Sequence, residues 1–214
     1  MRSRTGSTPG AERPYHHGNL EAALIEAGLA ILRRDGIEAL TLRRVAAEAG
    51  VSHAAPAHHF GNLRALLSAL AAIAFEALDA RLTRAREEAG RDAGAIVRSV
   101  TAAYLDFALK EPGLFRLMFQ AERLDWKDAR LARASGRTYA ALAAAASALS
   151  DEIGITDAAA RVEIEQLVWS VSHGYAKLAL DRLVPKKGGP RRVAVPDVAG
   201  LILSTHAALI RKTN

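Results

Sequence analysis

Cysteine is absent from the 214 residues. Disulfides and thiol catalysis are excluded by that alone. No apolar run approaches the roughly 20 residues needed to span a membrane, so no membrane partner is expected. The opening stretch MRSRTGSTPGAERP lacks the apolar core of a secretion signal. The expected location is therefore cytoplasmic. No Gly-rich phosphate loop occurs. No Ser stands in the strand-turn-helix context of an activated nucleophile. No catalytic residue and no cofactor is expected, and the chain does not read as an enzyme. Acidic residues are in deficit: 29 Lys and Arg face 23 Asp and Glu, for a net charge of +6 and a pI near 10.0. That balance favours an anionic partner. Aromatic residues are scarce at 5%, and most of them lie in the second half of the chain.

What remains is ample apolar material, 50% of residues with a mean hydropathy of +0.03. It suffices for one large helical domain, or a small one fused to a larger one. The basic charge is not concentrated at one end. Residues 1–64 hold eight Lys and Arg against six Asp and Glu. They also hold five of the seven histidines, at 16, 17, 53, 58 and 59. Imidazole suits zinc, copper or nickel, but no Cys or paired carboxylate completes a ligand set beside them, so no metal is expected. The Lys186, Lys187, Arg191 and Arg192 cluster reads as a solvated loop.

The stretch TLRRVAAEAGVSHAAPAHHF, residues 41–60, organises the chain. Thr41 is a cap residue, its hydroxyl able to accept from a free first-turn amide. Leu42, Val45, Ala46 and Ala49 then recur at helical spacing. Gly50 stands where the helix must stop, because glycine enters the left-handed region without a Cβ penalty. Ser52 is expected to cap a short second helix, and Phe60 to anchor it. Two short helices joined by a Gly-containing turn form the helix-turn-helix unit, whose second helix enters the DNA major groove. From spacing alone an ordinary helical hairpin fits equally well.

The flanks carry more. With YHHGNLEAALIEAGLAILRRDGIEALTLRR before the turn and HHFGNLRALLSAL after it, residues 15–70 resemble the DNA-binding domain of TetR-family transcriptional regulators. The EPGLFRLMF run and the segment from Trp169 to Gly174 resemble the body of the TetR subgroup named for its Trp, His and Gly motif. The resemblance implies an all-α protein: a flexible arm at 1–14, a three-helix DNA-binding domain at 15–62, and a helical effector-binding and dimerisation body at 63–214. It implies a homodimer on a palindromic double-stranded operator, acting as a repressor relieved by an unidentified small organic effector. The alternative is an all-helical ligand-binding or enzymatic protein with a merely structural hairpin.

On this reading the DNA-facing residues are Thr41, Arg43, Ser52, His53, Ala55, Ala57, His58, His59 and Arg64. Many family members carry Thr and Tyr where this chain has Ala55 and Ala57. Two usual polar contacts are therefore missing, and base readout must lean on His53, backbone groups, methyl contacts or DNA shape. Pro56 is tolerable near a helix start. Asn19 and Asn62 are expected caps, and Arg64 beside a helix N-terminus suits a phosphate.

In the body, apolar spacing predicts helices over about 63–89, 92–110, 127–151 and 157–182, and a last one opened by Pro196. Tyr139 is expected in the core of the third. Two apolar stripes on the fourth, one with Val162, Trp169 and His173 and one with Leu167, Val171, Tyr175 and Leu178, predict burial on more than one side. The effector cavity is expected among Tyr104, Phe107, Phe115, Met118, Phe119, Tyr139, Trp169 and His173. The dimer interface is expected at Tyr175, Leu178, Leu201, Ile202, Thr205 and Leu209.

Overall fold

Helices account for every long element of the computed structural model, which describes residues 20–184 and 195–213, with side chains to residue 208. The 1–14 arm, His16, His17, Asn19 and the basic cluster at 186–192 lie outside the described residues, as does the Leu209 side chain. Helix α1, Leu20–Asp35, buries Leu24, Ala27 and Ile31 along one stripe. Helix α2 is Leu42–Glu48, capped by Thr41, whose Oγ1 accepts from the Arg44 amide at 3.1 Å. Gly50 follows at φ 67°, in the left-handed region where other residues are strained. Helix α3 is Ala55–Phe60.

The start of α3 corrects one expectation. Ser52 does not cap it. Residues 52–54 form a turn closed by Ala55 N donating to Ser52 O at 3.0 Å, and the cap position falls on Ala54, without a side-chain bond. Pro56 explains the shift, since its fixed φ suits the first helical turn and its missing N–H is harmless there. Pro56 is buried.

Helix α4, Leu63–Glu88, opens on Asn62, whose side chain accepts from the Ala65 amide at 2.9 Å. It leaves the small domain and runs through the body, packing most extensively on α7, Ala129–Glu152. Alanines at 134, 145 and 146 are fully buried there, and small side chains let two helices approach closely. Thr138 on α7 donates to the carbonyl of Phe75 on α4 at 3.0 Å. Helix α5, Ala93–Lys110, and helix α6, Pro112–Met118, add Val100, Tyr104, Phe107, Phe115 and Met118 to the core. Each such side chain contributes about 1.5–3 kcal/mol by leaving water. Helix α8, Ala158–Leu180, packs on α5 and α7, and α9, Val198–Thr213, leans on α5.

Two core expectations need correction. Tyr139 is 40% exposed, because the inward stripe of α7 runs through Leu131, Ala134, Thr138, Leu142 and Leu149 instead. On α8 the buried line is Val168, Ser172 and Ala176. The apolar stripes read from the sequence flank that line, and Val162, Leu167, Trp169 and Leu178 are exposed on the single chain. A helix at the edge of one core has only one line of contact with it, so its further apolar positions face outward.

The small domain sits against the body through α1 and α6. A Cβ on Gly113 would stand 2.3 Å from the Leu32 carbonyl oxygen, so only glycine permits this approach. Arg33 and Glu111 pair beside it at 3.0 Å.

Candidate nucleic-acid interface and ligand cavity

The turn and α3 present Ser52, His53, Ala54, Ala57 and His58 to solvent, with Ala55 half-exposed. His53 and His58 hold no partner among the described residues, while His59 turns back to α1, 3.4 Å from Glu21 and edge-on to Phe60. The arginines of the small domain divide sharply. Arg34 forms a fork on Glu48 with both bonds at 3.0 Å and also meets Asp35, which Arg44 shares. The Arg34 guanidinium beside it holds the Glu48 carboxyl below its ordinary range. Arg33 is held by Glu111. Arg43 is exposed and has no partner among the described residues. It stands in the first turn of α2, two residues after the Thr41 cap. An unpaired arginine with its charge in water is free to meet a phosphate.

Arg64 is differently placed from expectation. It is exposed, but its Nη2 donates to the carbonyl of Glu122 at 2.6 Å. Glu122 belongs to the connector between α6 and α7, which contains a short turn at Ala121–Arg123. The next residue, Arg123, pairs with Glu38 of the small domain at 2.7 Å. Ser68 on α4 is buried and accepts from the Asp125 amide at 2.8 Å while donating to the Arg64 carbonyl at 2.9 Å. The connector thus holds both the start of α4 and the loop before α2.

The same connector forms part of a cavity of about 430 Å³ in the body, open to solvent along Trp126, Tyr139 and Trp169. Its lining is Phe75 from α4, Tyr104 from α5, Phe119 and Trp126 from the connector, Ser135, Gly136, Thr138, Tyr139 and Leu142 from α7, and Trp169 from α8. Four of the eight residues expected around a cavity line it. Phe107, Phe115 and Met118 pack into the core instead, where Phe107 lies under the Arg81 guanidinium at 5.2 Å. His173 stands behind the wall, its Nδ1 3.0 Å from the Tyr104 hydroxyl and its ring stacked on Phe115. Burial pushes the Tyr104 phenol above its ordinary value, and a hydrogen bond from Trp169 opposes the rise. Burial, with Lys177 one turn on, lowers the His173 pKa from its ordinary 6.5. Phe75 and Trp126 went unread in the sequence. Trp126 lies in a connector without periodicity, and its only signal is that it is one of two tryptophans.

On the outer side of α8 and α9, Leu178, Leu201 and Thr205 are exposed, Leu201 at 66%. Tyr175 and Ile202 are half-buried against the core. No helix among the described residues is long and apolar enough to cross a membrane, and no cluster of three or more His, Cys, Asp or Glu among them is placed to hold a metal.

Residues 24–70 match the family model of bacterial regulatory proteins of the tetR family. Residues 97–193 match that of the tetracyclin repressor-like C-terminal domain. Among solved structures, a protein with unknown function from Rhodococcus sp. RHA1 is 32% identical, with 94% of this chain and 98% of that one covered at a TM-score of 0.70. A putative transcriptional regulator from Pseudomonas aeruginosa PAO1 is 21% identical over 94% and 97%, at 0.62. The TetR family transcriptional regulator PfmR from Thermus thermophilus is 20% identical over 88% and 97%, at 0.57. These last two speak to the fold alone. No curated protein matches the sequence.

Proposed function

Since the chain belongs to the TetR family of bacterial regulatory proteins, DNA-binding transcriptional regulators rather than enzymes, we propose that it is a cytoplasmic homodimeric repressor released from a palindromic operator by a small organic effector. The observation that carries this reading is the solvent face of the helix-turn-helix. There Thr41, Arg43, Ser52, His53 and His58 are exposed beside a short alanine-rich helix, and Arg43 alone among the described arginines of that domain has no protein partner. On this proposal Arg43 meets the phosphate backbone, which fixes position, and His53 with the α3 alanines meets base edges or thymine methyls. The Trp169, His173 and Gly174 segment supports membership of the Trp/His/Gly subgroup, with Trp169 and His173 both bonded to Tyr104.

The dimer forms through the exposed apolar positions of α8 and α9, Leu178 and Leu201 among them. Release follows from the connector. An effector in the cavity displaces Phe119 and Trp126, and the connector carries Glu122 and Arg123 away from Arg64 and Glu38. The start of α4 then shifts, and the two recognition helices lose their operator spacing. A coupling of about 1–3 kcal/mol gives a five- to 150-fold loss of affinity.

Fluorescence anisotropy with the DNA upstream of the protein's own gene tests this. A specific complex at two half-sites about one helical turn apart, or a multiple, is expected. Arg43→Ala should weaken specific and non-specific DNA alike and reduce the salt slope by about one. Equal affinity for operator and scrambled duplex would refute the proposal.

A further inference from the structure

We infer that the cavity selects an uncharged, flat aromatic molecule carrying a neutral hydrogen-bond acceptor over a carboxylate or an amidinium of the same shape. This rests on the reading of the cavity as the effector site. Six of its lining residues are aromatic: Phe75, Tyr104, Phe119, Trp126, Tyr139 and Trp169. Aromatic pairs favour edge-to-face and offset contacts, and the walls already meet one another that way. Phe75 and Trp126 stand at 63° and Tyr139 and Trp169 at 84°. A flat ring entering this space adds to the same packing.

No Asp, Glu, Lys or Arg is in the lining. The neighbouring carboxylates, Glu76 and Asp79, are paired with Arg130 and Arg137. A cation would therefore meet ring faces but no free anion. An anion would meet no free cation. Moving a charge from water onto this apolar lining without a partner of opposite sign costs more than seating a neutral acceptor there, so either ion is disfavoured.

The lining's hydrogen-bond donors are nearly all committed. The Trp126 indole donates to the Ala121 carbonyl at 3.2 Å, and Trp169 to Tyr104. Tyr104 is engaged with His173, Ser135 with the Ala132 carbonyl, and Thr138 with the Phe75 and Ala134 carbonyls. The Tyr139 hydroxyl has no hydrogen bond among the described residues, and it is the donor left for a ligand's acceptor. An uncommitted donor in an otherwise apolar lining favours a ketone over the bare hydrocarbon.

Three isosteric probes test the assignment on the full-length protein: 2-acetylnaphthalene, 2-naphthoate and the cation 2-naphthamidinium, titrated by calorimetry. The ketone should bind at least tenfold more tightly than either ion. Tyr139→Phe should weaken the ketone severalfold and leave naphthalene unchanged. Gly136→Phe fills the cavity without a backbone clash, since a Cβ there meets nothing within 4 Å. It should abolish ketone binding while the thermal midpoint of the free protein stays near wild type. Both tryptophans line the cavity, so the Trp126→Phe and Trp169→Phe variants should each retain a fluorescence response to the ketone. Equal or tighter binding of an ion would overturn the selectivity, and so would ketone affinity untouched by Gly136→Phe. Absence of binding by all three would overturn the site itself. If the ketone binds as described but leaves operator affinity unchanged, the selectivity stands and release by effector falls.

Discussion

Gly113 and Gly136 are both helical glycines, and they should respond to alanine in opposite ways. Gly113 lies against the Leu32 carbonyl oxygen, where a Cβ would come within 2.3 Å. Neither backbone can yield without separating α1 from α6, so Gly113→Ala should cost about 1–3 kcal/mol, as overpacking does. Gly136 faces open space in mid-helix, and Gly136→Ala should gain about 0.5–1 kcal/mol through reduced chain entropy. Urea unfolding of the two variants checks the pair, and equal effects would show that the α1–α6 contact is not tight. His173 provides a pH signature. Its pKa is lowered in the folded state, so the unfolded chain takes up a proton first as pH falls below 6.5. Stability contributed by neutral His173 is present above that value and lost beneath it. The fall in melting temperature between pH 7 and pH 5 should therefore be smaller in His173→Gln than in wild type.

Among the elements, the connector between α6 and α7 joins the cavity wall to the small domain. Its two kinds of attachment differ in strength. The Arg123 and Glu38 pair is exposed on both sides, and such pairs contribute at most about 1 kcal/mol. Ser68 is buried and satisfies the Asp125 amide. Ser68→Ala leaves that amide without its partner and should cost about 1–3 kcal/mol. Arg123→Ala should leave the melting temperature almost unchanged while altering the ratio of operator affinities with and without effector. A double-mutant cycle with Glu38→Ala measures that ratio, and additive effects would take the pair out of the coupling.

For the whole molecule, the proposed dimer rests on the outer faces of α8 and α9. Leu178 is 46% exposed and Leu201 66%, beside Val162 and Leu167 on the same helix pair. In the proposed dimer a second copy covers these positions in a symmetric interface, as closed homodimers do. Leu201→Glu combined with Leu178→Glu should produce monomers in sedimentation equilibrium at micromolar concentration, with helicity retained. Tight operator binding should disappear with them, because a single half-site is weak. Dimers that persist in the double variant would move the interface elsewhere.

The sequence by itself determined the helices and most of their ends. Thr41, Asn62 and Asp157 each accept a first-turn amide, because capping depends on residues three apart in the chain. Leu24, Ala27 and Ile31 mark their helix face for the same local reason. Where neighbours in the chain do not settle the outcome, only the tertiary structure did. Ser52 is a good cap by type, yet the turn it belongs to moves the cap two residues on, to Ala54. Arg43 and Arg64 look alike as exposed basic residues near the motif. Which of them is unpaired depends on Glu122, far along the chain. The α8 stripes show which positions are apolar but not which one of several lines meets the core. Trp126, in a segment without periodicity, reaches the cavity only because α4, α5, α7 and α8 converge around it. Local hydrogen bonding and periodicity are written in adjacent residues, whereas a cavity and its donors are made by side chains that meet only after the helices pack.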